Sequence, residues 1–340
     1  MSHKLDFQKG YAAMYSLNQM PWHGLGNVLE KQPETIKELL EVSGLDFTVE
    51  KLPNTHIIGE QVITSDNSFF TYRTDTNYIL GDKLGKQYTV CQNDVAFIII
   101  EELLMSGKVI VETAGSLDNG RVTFVTLKMN KPIEVAKEDL VNNYFCIFNA
   151  HDGSMAITSL DTPVRVVCNN TLIAALKNCK RKISVKHTTN HKEGMKQALQ
   201  ILGVIESNAT IMEEGFQKMN SVKWTQDRFF DYIASVFCTK DEIRKMSTGS
   251  HPFEALSTRK TNIIKNVLEY SEVGVGQKEA LHLSPWWAYN AVTGALSAKE
   301  YKDADQRMQS LLIGSASDTI ETALQLAVEP SKINGVFNLN

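Results

Sequence analysis

The chain has 340 residues, 43% of them hydrophobic and 22% charged, a composition that supports a packed core and excludes a disordered or low-complexity protein. Its N-terminus, MSHKLDFQKG, has no apolar signal region, and the most apolar run, AFIII at residues 96–100, is closed by Glu101 and Glu102. Neither a secretory leader nor a membrane span is expected, and the location expected is cytoplasmic. A formal net charge of −4 makes any local cluster of positive charge a feature to be explained.

In chain order, HIIGEQVITSDNSFFTYR predicts a β-hairpin turning at Ser65, Asp66 and Asn67. NDVAFIIIEELLMSGK predicts a helix capped by Asn93 or Asp94 and stopped by Gly107. In VIVETAGSLDNGRVTFVTLKM two β-branched runs flank Asp118, Asn119 and Gly120, where Asn-Gly supplies the positive φ angles of a tight turn. NYFCIFNAHDGSMAITSL repeats the arrangement around His151, Asp152 and Gly153. From about residue 190 the punctuation changes to long helix-forming stretches, ending in DTIETALQLAV, where Asp318 and Glu321 have capping-box spacing. The expected fold is α+β, with antiparallel β-hairpins and helices over residues 1–190 and a mainly helical region over residues 191–340.

Between the two lies TPVRVVCNNTLIAALKNCKRKISVKHTTNHK. Thr162 and Pro163 suit a helix start, whereas Val164, Val166 and Val167 prefer a strand and Asn169 or Asn170 suits a later cap. Either way the segment leads into Lys177, Lys180, Arg181, Lys182, Lys186 and Lys192, and with Arg165 these are seven positive charges without an acid between Asp161 and Glu193. Seven positive charges in a chain of net −4 leave −11 for the remainder. Basic residues at a helix C-terminus complement the macrodipole, which accounts for Lys177 and Lys180 as a plain solvated cap. The continuation through Lys182, Lys186 and Lys192 instead suits contact with successive phosphates, and these seven residues are the candidate nucleic-acid contacts.

Other groups carry less. His187 and His191 have the i, i+4 spacing of a metal-binding helix, but Thr188 replaces the usual glutamate and HTTNH is a poor helix former, so no metal site and no cofactor are expected. Asn149, His151, Asp152 and Ser154, with Cys168 further along, have the residue types of a catalytic centre, yet a polar turn explains them without chemistry. GVGQK at residues 274–278 lacks the frame of a phosphate loop. Trp22, beside the turn made by Gly24 and Gly26, and Trp286, Trp287 and Tyr289 in SPWWAYNAVTG suit either stacking on bases or packing at an interface. The cysteines Cys91, Cys146, Cys168, Cys179 and Cys238 are odd in number without a C-x-x-C pair and are read as reduced and buried.

PWHGLGNVL, YILGDKLGKQYTVCQNDVAF, GSLDNGRVTFVTL, NAHDGSMAITSLDTPVRVVCNNTLIAAL and WWAYNAVTG follow one another over residues 21–294, within a resemblance that runs from Pro21 to roughly Ala327. In that order they resemble the phage and plasmid-related family that carries the domain of unknown function numbered 932. The resemblance implies a bacterial host cell and a setting beside DNA replication and recombination, and no activity. Hairpins followed by a helix that ends in a basic tract are, more loosely, similar in architecture to the Rad52-like single-strand annealing proteins. The function expected is an oligomeric, sequence-independent single-stranded DNA binding or annealing protein with no catalytic group of its own. One alternative is a protein-binding factor that modulates host defence or replication. Another is a metal-dependent hydrolase or nuclease built on Asp118, His151, Asp152 or Asp161, which requires those groups to converge.

Overall fold

The computed structural model describes residues 4–21, 23–137, 139–155, 157–162, 182–183, 191–248, 252–274, 277–302, 306, 310–311 and 315–336, with the backbone alone for Thr162, Lys182, Ile183, residues 191–196 and Ala198. The protein is α+β: antiparallel hairpins and short helices come first, and a helical region follows. It divides into two compact units, Met1–Pro132 with Asn142–Ser207, and Ile133–Val141 with Asn208–Asn340.

The first unit is built on strands β1 (Met14–Leu17), β2 (Asn27–Leu29), β6 (Val109–Leu117), β7 (Val122–Met129), β10 (Tyr144–Ala150), β11 (Thr158–Thr162) and β12 (Lys182–Ile183). They form one sheet in the order β12-β11-β10-β7-β6-β1-β2, antiparallel throughout except for β1 against β2. Strict alternation sends Val125, Leu127, Phe145 and Ile147 to one face and Phe124, Cys146 and Phe148 to the other, and each set joins its own apolar cluster. The central strands are therefore buried on both faces. The first face is covered by α1 (Ile36–Ser43), α2 (Asn93–Ala96) and α3 (Ile99–Met105), and by Ile201, Leu202 and Ile205 of α4 (His191–Ser221).

The turn at Asp118, Asn119 and Gly120 forms as its residues dictate, with φ of 50°, 61° and 104°, joining β6 to β7. His151, Asp152 and Gly153 open the connection from β10 to its antiparallel partner β11. Two expectations for the first unit need correction. The upstream hairpin, β3 (Val49–Ile58) and β4 (Gln61–Arg73), turns at Gly59 and Glu60, where Gly59 takes φ +63°. Ser65, Asp66 and Asn67 lie within β4, where Ser65 Oγ accepts from the N–H groups of Asn67 and Ser68 and the register against β3 slips between Pro53 and Thr55. Polar residues that signal a turn here make a β-bulge. The single helix over NDVAFIIIEELLMSGK is instead two, α2 and α3, and Asn93 does not cap either, because its side chain is drawn inward. Gly107 does stop the segment, at φ +68°.

β3 and β4 with β5 (Ile79–Leu84) form a separate three-stranded sheet in the order β3-β4-β5. In the second unit a hairpin, β8 (Ile133–Ala136) and β9 (Asp139–Val141), packs with the helices α5 (Gln226–Phe237), α6 (Lys240–Thr248), α7 (Thr258–Val273), α8 (Pro285–Ala298) and α9 (Ser315–Val328). Ser284 caps α8 by accepting from the N–H of Trp287 at 3.0 Å, with Pro285 at the first helical position. The capping box expected at Asp318 does not form: Asp318 sits inside the first turn of α9, its carbonyl accepting from Thr322 Oγ1.

Candidate functional site

Of the basic segment, Lys182 lies in β12, the outermost strand of the large sheet, and Lys192 lies in the first turn of α4. Arg165, Lys177, Lys180, Arg181 and Lys186 lie outside the described residues, as do Trp22, Cys168, Cys179 and His187. What can be followed residue by residue is how the sheet brings the chain to this segment. β12 pairs with β11 through Ser159 opposite Ile183 and Leu160 opposite Lys182, and β11 pairs with the fully buried β10.

The connection between β10 and β11 is held by a buried polar node, of which Asn149 and His151 stand out in the sequence and Asn93 and Thr123 do not. Asn93, Thr123, Asn149 and His151 are all buried. Asn93 Nδ2 donates to the Leu45 carbonyl at 2.9 Å, which fixes its Oδ1 as the inward-facing acceptor. Thr123 Oγ1 donates to that oxygen at 2.9 Å, and His151 Nε2 lies 3.0 Å from it. His151 therefore carries its proton on Nε2, a tautomer assigned from the network. The 3.4 Å approach of Asn149 Nδ2 to His151 Nε2 is then a contact between two donors, and Asn149 Nδ2 donates to the Cys91 carbonyl at 2.9 Å. The His151 carbonyl accepts from Thr71 Oγ1 at 2.6 Å, and the ring meets Phe47 edge-on at 5.9 Å. Burial pushes the His151 pKa down to about 4, with Asp152 opposing and Arg73 adding to the fall, so the imidazole is neutral at pH 7.

Beside this node Arg73 is fully buried. Its guanidinium donates to both carboxylate oxygens of Asp75, at 3.0 and 2.7 Å, and also to Asp6 Oδ2, and it lies 3.9 Å from the centre of the Phe47 ring. Asp6 is held in turn by Ser116 Oγ at 2.9 Å and the Gln8 N–H at 2.8 Å. Burial alone would lower the Arg73 pKa, but the hydrogen bonds to Asp75 and the charges of Asp6 and Asp75 outweigh it and raise it. Burial works against the charged form of Asp75 as well, and the Arg73 hydrogen bonds outweigh it, so the Asp75 pKa is lowered. Gly120 is required here, since a Cβ would come within 3.0 Å of the Arg73 side chain.

Apart from His151 Nδ1, which is buried without a hydrogen-bond partner, the hydrogen-bonding groups named here are engaged with one another or with the backbone, so they brace a scaffold. The carboxylates of the hydrolase alternative do not converge either. Asp118 pairs with Arg121 at 3.4 Å, Asp152 Oδ1 accepts from the Ser154 N–H at 2.9 Å in a local turn, and Asp161 accepts from Asn143 Nδ2 at 2.7 Å. Asp161 is level with Leu127 across the sheet and Asp118 adjoins Val122, a separation of about 17 Å along the strand direction. Among the described residues no group of three or more His, Cys, Asp or Glu side chains is placed to hold a metal ion. Burial raises the thiol pKa of Cys91 and of Cys238 to about 11, which keeps both protonated at neutral pH.

Trp286 and Trp287 are enclosed in the core of the second unit and are not presented for stacking on bases. Trp286 packs 4.8 Å from Phe216 and 5.7 Å from Tyr289, and its Nε1 donates to Asp139 at 2.6 Å. Trp287 packs 4.7 Å from Phe229. Both rings pack within the second unit, as core side chains of that unit.

The family model for the domain of unknown function DUF932 matches residues 82–312, and the chain belongs to that family. The matched range contains both hairpins that flank the polar node, the basic segment and the Trp286-Trp287 helix. No curated protein and no solved structure matches the chain. Among the described residues no helix is long and apolar enough to cross a membrane.

Proposed function

We propose that the protein is an oligomeric, sequence-independent single-stranded nucleic-acid binder of the kind used in phage or plasmid recombination and replication, and that it holds the strand by its phosphates. The observation that carries this reading is the run of seven Lys and Arg residues uninterrupted by an acid in an acidic chain, with Lys182 of that run in the outermost strand of the large sheet. Basic residues that follow one another along the chain without an acid between them suit contact with a polyanion without reading its bases. The buried node at Asn93, Thr123 and His151 braces β7 and β10, the strands on which β11 and β12 are built, so binding needs no catalytic side chain.

The test is a fluorescence-anisotropy titration of a labelled 40-mer oligonucleotide against the full chain at low salt. Binding that is indifferent to base sequence and lost as salt rises supports the proposal. No binding at micromolar protein and low salt overturns it.

A further inference from the structure

The segment that follows α9, one turn at Pro330–Lys332 and then an extended stretch, lies along α5, which holds it by its main chain. Arg228 Nη2 donates to the Pro330 carbonyl, and Asp231 Oδ1 accepts from the Val336 N–H at 2.6 Å. Ser235 Oγ accepts from the Asn334 N–H at 2.9 Å and donates to the Asn334 carbonyl at 3.2 Å, meeting both groups of one residue as a neighbouring strand would. These three side chains stand at i, i+3 and i+7 of α5, on one face of the helix.

Of the segment's own side chains, Ile333 and Val336 are buried, Val336 among Ala234, Ile243 and Met246 of α5 and α6. Ser331, Lys332 and Asn334 are exposed. Hydrogen bonds to the main chain together with seats for alternate apolar side chains are the means by which proteins hold extended peptides. Every residue offers an N–H or a carbonyl, so what this face selects is the spacing of Ile333 and Val336. Left empty, the face would expose Ile243 and Met246 and would take the Val336 N–H from Asp231, a carboxylate wholly out of solvent.

We infer that this face of α5 and α6 is a docking site for residues 330–336 of a second copy of the chain, two copies exchanging these segments about a two-fold axis. The occupant fits because the chain's own segment already makes the contacts, and exchange repeats each of them. Only the path through Glu329 and Pro330 changes. Pro330 disfavours the helical conformation at Glu329, which takes φ −119° and ψ 73°, so rotation at this residue redirects the segment without unwinding α9. The choice of exchange over closure within one chain rests on the oligomer in the proposed function, but its test needs no nucleic acid.

Two full-chain variants, Ser235→Cys and Asn334→Cys, are mixed under reducing conditions at high concentration and then oxidised. Only exchange brings residue 235 of one against residue 334 of the other. The mixture should therefore give a two-chain disulfide species on a non-reducing gel, rising with protein concentration and absent when either variant is oxidised alone. Each variant should keep the parent's far-UV circular dichroism. A mixture with no more two-chain species than the separate variants, at the highest soluble concentration, overturns the inference. So does a Ser235→Cys/Asn334→Cys chain that closes only upon itself, or one that links in neither way, since the segment would then not lie on α5 in solution. A chain that exchanges its segment yet binds no oligonucleotide leaves the inference standing and removes the proposed function alone.

Discussion

His151 Nε2 lies 3.0 Å from Asn93 Oδ1, an oxygen that Thr123 also donates to, inside a core that water does not reach. The folded protein therefore binds a proton on this ring only near pH 4, whereas the unfolded chain binds one near pH 6.5. Between those values the unfolded state holds more protons, so this contribution to stability is complete above pH 6.5 and is lost as pH falls toward 4. The loss amounts to about 3 kcal/mol at the acid end of that window. Urea denaturation at pH 7 and pH 4.5 should show the fall in the parent and a smaller one in His151→Gln. Equal falls in the two proteins would show that His151 is not the titrating group.

Arg73 should be irreplaceable for stability. Arg73→Met leaves Asp6 buried without its cation, and breaking a buried pair in this way costs about 3–5 kcal/mol. Arg73→Lys should recover little, because an ammonium cannot reproduce the two-point grip on Asp75 or the flat contact with Phe47. Thermal midpoints of the two variants, measured beside the parent, check this. A Lys variant within about 1 kcal/mol of the parent would mean that charge alone is sufficient.

Trp286→Ala should destabilise the protein by about 3–5 kcal/mol, since it empties a packed site and leaves Asp139 without its donor. Under conditions where the variant stays folded, the salt dependence of oligonucleotide binding should match the parent's, because an enclosed indole releases no counterions. Calorimetry and the salt titration read these outcomes separately. A stable Trp286→Ala variant with weakened binding would return the indole to the surface role.

The turn at Asn119 and Gly120 and the alternation of β7 and β10 were legible in the sequence because both are local: positive φ and a period of two depend on neighbours along the chain. The same reasoning failed at Ser65, Asp66 and Asn67, because the hairpin turns earlier, at Gly59 with its positive φ, and leaves those turn-forming residues as a bulge inside β4. Asn93 is the clearer case. As a residue type it is a good cap, but its partners Leu45, Thr123 and His151 are 48, 30 and 58 residues distant, and nothing in its own neighbourhood signals them. The charge of the basic segment was legible because it needs only a count. Arg73 with Asp6, 67 residues apart, was not.

The measurement that bears most directly on the central claim is the salt dependence of single-strand binding by Lys180→Gln/Arg181→Gln/Lys182→Gln. Each phosphate contact adds roughly 0.7 to the slope of log K against log salt on a single strand, so losing three should flatten the slope by about two units. Removing exposed charges costs little stability, and the variant should stay folded. A slope lowered by about that amount, with weaker binding at low salt, is the predicted result. A variant that binds the 40-mer as tightly as the parent across the whole salt series would contradict the account, leaving the basic segment as a solvated surface or a protein contact.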